Sequence, residues 1–125
     1  MRFGLIGYGS IGKRHASNLI KLGHEDIILF REIGKGNEHN FPEYNKFSSF
    51  LKTNVEVVII SNPTSLHARY LSPLITNNIH VFVEKPIVSN EDDMIKIKKL
   101  LSNYTGLGMT ALNMRFHPCI DFLKK

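Results

Sequence analysis

Arg2-Phe3-Gly4-Leu5-Ile6-Gly7-Tyr8-Gly9-Ser10-Ile11-Gly12 decides the reading of this chain. Arg2 to Ile6 is a short, largely apolar run, suited to a buried strand. The last six residues form G-x-G-x-x-G, and Ile11 to Leu22 read as a helix with Ile11, Leu19 and Leu22 apolar and Ala16 small. Gly23 follows as a helix stop. A glycine-rich turn between a strand and a helix is the context in which this motif holds a dinucleotide. Gly7 permits the tight turn, Gly9 leaves the backbone open to a pyrophosphate, and Gly12 lets helix and strand approach. The helix N-terminus offers free N–H groups and a positive dipole to the phosphates. Tyr8, Ser10 and Ile11 complete the loop as candidate contacts, with Tyr8 either packed on the ligand or exposed. A turn without any ligand is the competing reading.

Outward from this stretch, short apolar runs alternate with amphipathic ones. Ile27 to Phe30 reads as a strand buried on both faces. Residues 34 to 45, rich in Gly, Asn, His and Pro, read as a surface loop. Ser48 to Lys52 is a helical turn. Val55 to Ile60, mostly β-branched, is the strongest strand signal. Thr64 is the expected N-cap of the next helix, and Pro73 predicts a kink, or a restart capped by Ser72. His80 to Val83 reads as a strand. Ser89 is the expected cap of a helix whose first turn holds Glu91, Asp92 and Asp93 and whose stripe is Met94, Ile97, Leu100 and Leu101. Gly108 to Leu112 reads as a last strand, and Pro118 to Lys125 as the start of a helix. Alternating strands and helices predict an α/β fold, a doubly wound parallel sheet.

Beyond the second strand lie Arg31 and Glu32, about 20 residues past the last glycine, where an acid is expected to meet the adenosine ribose. Glu32 suits the ribose hydroxyls of NAD, whereas Arg31 suits the 2′-phosphate of NADP. The two signals conflict, with a slight lean toward tolerance of NADP because Arg31 comes first. A solvated loop pair is the alternative for both.

Several motifs in order resemble the Gfo/Idh/MocA family of sugar and polyol oxidoreductases. They are Gly7 to His15 with its trailing Arg14-His15, Ser61-Asn62-Pro63-Thr64-Ser65-Leu66-His67, Glu84-Lys85-Pro86, and Asn113-Met114-Arg115-Phe116-His117-Pro118. The resemblance implies a Rossmann domain over residues 1–118 that binds NAD or NADP. Residues 119–125 would then start a linker helix toward a substrate domain absent from this sequence. It implies hydride transfer to or from a hydroxyl of a sugar, polyol or sugar nucleotide. It assigns Lys85 as the catalytic lysine near the nicotinamide, with Glu84 contacting a cofactor ribose or orienting the lysine. Ser61, Asn62, Pro63 and His67 would border the nicotinamide half of the cofactor, and Asn113 and Arg115 the cleft. Independently of the resemblance, Lys85 lies just past a strand end, where doubly wound sheets bind ligands. A desolvated lysine there can exchange protons with an alcohol, although a neighbouring Glu84 opposes the lowered pKa this needs. Pro86 makes Lys85 extended and permits a cis bond between them.

Composition narrows the rest. The chain has 125 residues, 42% hydrophobic and 22% charged, in the range of one ordinary globular domain. Its net charge of +5 is spread without a dense Lys/Arg run, so lysines on solvated helix faces are favoured over a nucleic-acid surface. The lone Cys119 and the lack of a long apolar run predict a cytoplasmic protein without a membrane span. The six histidines show no metal-binding spacing, and no metal is expected. Expected partners are a small sugar-like substrate and further copies of the chain, the latter through apolar residues around Phe116, Ile120 and Phe122. A non-catalytic NAD(P)-binding module, or a truncated pseudoenzyme, is the alternative function.

Overall fold

The computed structural model describes residues 1–124; Lys125, placed by the sequence in the last helix, lies outside them. Six strands form one parallel sheet. They are β1 (Phe3–Ile6), β2 (Ile27–Phe30), β3 (Glu43–Tyr44), β4 (Val57–Ile60), β5 (His80–Val83) and β6 (Gly108–Thr110), in the order β3-β2-β1-β4-β5-β6. The helices are α1 (Ser10–Lys21), α2 (Phe47–Leu51), α3 (His67–Thr76), α4 (Glu91–Leu101) and α5 (Pro118–Leu123). This is the doubly wound order, and β1 and β4, which pair Phe3↔Val57 through Ile6↔Ile60, flank the point where strand order reverses.

Strand alternation sends side chains to two cores. Ile6, Ile28, Phe30, Val58, Ile60, Val81 and Val83 pack with Phe50 of α2, Leu71 and Leu74 of α3 and Ile97 of α4. Leu5, Ile27, Leu29 and Ile59 pack with Ala16 and Leu19 of α1. β1 and β2 are buried at every position, as the apolar runs require. In β5 burial alternates, because His80 and Phe82 are only half covered on the α1 side.

Several local expectations are corrected. In α1 the buried residues are Gly12, Ala16 and Leu19, whereas Ile11 and Leu22 are exposed. Gly23 does stop this helix, at φ +84°, with His24 N–H donating to the Leu19 carbonyl at 3.0 Å. The segment 34–45 contains β3, which pairs with β2 at Leu29↔Glu43 and Phe30↔Tyr44. Thr64 opens a 3₁₀ turn, Thr64–Leu66, and caps nothing with its side chain. Helix α3 runs through Pro73, and Ser72 caps no restart: its buried hydroxyl donates to the Ala68 carbonyl at 2.8 Å. Burial of Tyr70, Leu71, Leu74 and Ile75 offsets the hydrogen bond that proline cannot make. The cap of α4 is Asn90, not Ser89: Asn90 Oδ1 accepts from Asp93 N–H at 2.9 Å. Of the α4 stripe only Ile97 is fully buried, and Met94 and Leu101 are exposed. Phe116 and Phe122 are 67% and 78% exposed, as the apolar C-terminal surface requires, but Ile120 is half-buried.

Candidate functional site: the carboxyl ends of the strands

Five loops meet where the strands end. Backbone bonds hold their first residues level: Gly7 N–H to Phe30 O at 3.2 Å, Arg31 N–H to Tyr44 O at 3.0 Å, Ser61 N–H to Ile6 O at 2.9 Å, Glu84 N–H to Ile60 O at 2.9 Å, and Ala111 N–H to Val83 O at 2.9 Å.

In the first loop each glycine has a measurable reason. Gly7 sits at φ +90°, and a Cβ there would stand 2.7 Å from Asn62 N. At Gly12 a Cβ would lie 2.4 Å from the Gly7 carbonyl oxygen. Around Gly9 nothing lies within 4 Å of that position. The loop is thus tight where helix and strand touch and open where a phosphate would come. No side chain caps α1, whose N-cap is Gly9, so its first N–H groups face that space. Ser10 and Ile11 are exposed beside it. Tyr8 is not an exposed loop residue: it is 5% exposed, edge-on to Phe41, and its hydroxyl has no hydrogen-bond partner among the described residues. Burial, helped by the negative charge of Glu38, raises its pKa.

Beyond β2 the two competing residues separate. Arg31 is bound by Glu43, Nε to Oε1 at 2.9 Å and Nη2 to Oε2 at 2.5 Å, which counts against the lean toward NADP. Glu32 lines a recess of about 160 Å³ with Gly7, Asn62 and Tyr70. Glu32 Oε1 accepts from the Tyr70 hydroxyl at 2.8 Å and pairs with Arg69 at 2.8 Å. Burial, then the bond to Glu32, pushes the Tyr70 pKa up to about 12. Neither Glu43 nor Tyr70 stood out in the sequence, since no motif spacing marks either.

After β4, Ser61 Oγ donates to the Gly7 carbonyl at 3.1 Å, tying this loop to the glycine loop. Asn62 lines the recess, and its Oδ1 is buried as an acceptor with no partner among the described residues. Pro63 precedes the 3₁₀ turn with φ −56°. His67 does not border an open cleft. It is 1% exposed, and its ring lies between Asn62 O, 2.9 Å from Nε2, and Pro86 O, 3.0 Å from Nδ1. It clips the loop after β4 to the turn after β5.

That turn carries Glu84, Lys85 and Pro86, with Lys85–Pro86 cis. Glu84 Oε1 lies 2.8 Å from His15 Nε2, so its nearest partner is a residue of α1 and not the lysine. Lys85 is exposed, so these residues do not supply the desolvation considered for it. It lines a cleft of about 530 Å³ with Ile11, His15, Phe82, Glu84 and Asn113. Asn113 opens a 3₁₀ turn, Asn113–Phe116, and lines the cleft as expected, whereas Arg115 does not. The open cradle at Gly9, the unpaired Asn62 oxygen and the carboxylate of Glu32 together fit a dinucleotide.

Comparisons agree. The family model described as an oxidoreductase family with an NAD-binding Rossmann fold matches residues 1–109. A myo-inositol 2-dehydrogenase of Thermotoga maritima is 28% identical, over 100% of this chain and 40% of its own length. An inositol 2-dehydrogenase of Rhizobium meliloti is 26% identical, over 100% and 40%. The myo-inositol 2-dehydrogenase structure from Lactobacillus plantarum superposes with TM-score 0.88 at 20% identity, covering 99% of this chain and 40% of that one. The WlbA dehydrogenase from Bordetella pertussis, in complex with NADH and UDP-GlcNAcA, superposes with TM-score 0.84 at 20% identity, over 98% and 40%. The chain therefore spans about two fifths of the length of these relatives. With the family model covering most of its residues, the chain belongs to the Gfo/Idh/MocA oxidoreductase family and forms its NAD-binding Rossmann domain.

Proposed function

We propose that this domain positions NAD or NADP for hydride transfer to or from a hydroxyl of a sugar, polyol or sugar nucleotide. The observation that carries the reading is the glycine loop, closed at Gly7 and Gly12 and open at Gly9, at the start of an uncapped helix. The nicotinamide, when bound, supplies the hydride acceptor or donor. The α1 N–H groups hold the pyrophosphate, and Glu32 accepts from the adenosine ribose hydroxyls. Asn62 offers its unpaired oxygen to the cofactor, and Ser61 and Pro63 hold that loop in place. Lys85 exchanges the proton of the substrate hydroxyl through its Nζ. Glu84, tied to His15, keeps the lysine turn fixed against α1.

The relatives are more than twice as long, and we assign residues 1–118 to the cofactor domain and those from 119 onward to a helix leading to a substrate domain. That domain would enclose Lys85 and complete the substrate pocket. Exposed Phe116, Phe122 and Leu123 support self-association. The lone, exposed Cys119 and the even spread of charge support a cytoplasmic protein whose partners include neither nucleic acid nor membrane.

Titration with NADH and NADPH, followed by nicotinamide fluorescence, tests the cofactor site. Saturable binding is expected, and Gly9→Asp should abolish it without changing the melting temperature. Binding that survives Gly9→Asp, or none in the parent chain, would sink the reading.

A further inference from the structure

This inference rests on the dinucleotide reading above and deepens it. Two guanidinium groups and two carboxylates gather beyond β2, in two pairs of different kinds. Arg69 and Glu32 are exposed, and their single contact is at 2.8 Å. Arg31 and Glu43 are only 16% and 15% exposed and are joined at two points. Arg31 Nη2 also donates to the Gly36 carbonyl at 2.7 Å, and the guanidinium lies 5.6 Å from the centre of the Tyr8 ring. The backbone reinforces this pair: Arg31 N–H donates to the Tyr44 carbonyl at 3.0 Å, and β3 holds Glu43 in register beside β2.

We propose that Glu43 is a specificity-determining residue, which masks Arg31 from the 2′-phosphate of NADP and so makes the site prefer NADH. A phosphate of this kind carries a charge of about −1.5 to −2 near neutral pH. To reach Arg31 it must displace Glu43 from a two-point bond, leaving a largely buried carboxylate without its partner. It also meets Glu32 at the mouth of the recess. A ribose hydroxyl instead donates to Glu32 and leaves Arg31 where it is. The two contacts that orient Glu32 both fall on Oε1. Glu43 thus acts through Arg31, without touching the cofactor.

The test compares dissociation constants of NADH and NADPH for the 125-residue chain and its variants. Glu43→Gln removes the charge and keeps the shape. It should improve NADPH relative to NADH by about tenfold, equivalent to about 1.4 kcal/mol. Adding Arg31→Met to it should return the ratio to the parent's. Glu43→Ala, read the same way, covers a glutamine variant that does not fold, and circular dichroism checks each protein. An unchanged ratio in a folded Glu43 variant that binds NADH overturns the masking role. So does a gain that survives Arg31→Met, since another cation would then be taking the phosphate. A parent chain that binds neither nucleotide fails differently, removing the dinucleotide reading and this inference together.

Discussion

Gly9 and Gly12 are three residues apart and carry opposite constraints. A methyl group at Gly12 would press on the Gly7 carbonyl, which is backbone and cannot rotate aside. Gly12→Ala should therefore cost about 1–3 kcal/mol of stability and loosen the loop, as a thermal or denaturant melt would show. Gly9→Ala meets open space at φ −77°, so its melt should match the parent's while its dinucleotide affinity drops. Equal melts for the two would contradict the close approach. Glu43 predicts a pH dependence. Its hydrogen bond from Arg31 lowers the carboxyl pKa. Because the folded-state pKa is depressed, this contribution is fully present above the unfolded value, about 4.3, and is lost as pH falls through the folded one. Melts between pH 7 and 3 should show a decline that is shallower in Glu43→Gln. The glycines were legible in the sequence because phosphate binding constrains bare backbone at fixed spacing. Glu43 and Tyr70 were not, because they act through side chains brought together only by the sheet.

Among the elements, the strands followed from composition, since a strand covered on both faces must be apolar at nearly every position. Their ends did not: the β-branched run reaches back to Val55, but pairing begins at Val57. Helix starts are also ambiguous in sequence, because Ser89 and Asn90 are both good caps and only backbone geometry selects between them. Asn90→Ala should cost α4 about 1 kcal/mol, and Ser89→Ala only a few tenths at most, by denaturant midpoints. Comparable losses would mean that the cap is shared. His67 belongs to this scale too, because it fastens two loops together. Its Nδ1 lies beside the Pro86 and Ile87 carbonyls and its Nε2 beside that of Asn62, so the ring N–H ties one loop to the other. His67→Ala removes a buried ring and should cost about 2–4 kcal/mol while weakening cofactor affinity. His67→Ala with undiminished affinity would show that the clip serves folding alone.

At the scale of the whole molecule the sheet is unevenly clothed. Helices α2, α3 and α4 cover one face, and among the described residues α1 covers the other, leaving Phe82 and Met109 to floor the cleft beside Lys85. Leu112 and Phe116 line the same cleft, and Met114, Phe122 and Leu123 are exposed apolar residues as well. Sedimentation at rising concentration should therefore reveal association, reduced by Phe116→Asp with Phe122→Asp; a monomer throughout would refute it. The class of fold was legible because alternation of strand and helix admits few arrangements. The bare face was not, since Phe82 and Val83 read alike until the helices are placed. Strand order has a further consequence, in the timing of synthesis. β1 is translated before both strands that flank it in the sheet, and its register partner β4 begins at Val57. At about 5–20 residues per second, a ribosome needs several seconds to supply that partner. Throughout that interval the nascent chain must keep the β4-facing edge of β1 from pairing with anything else.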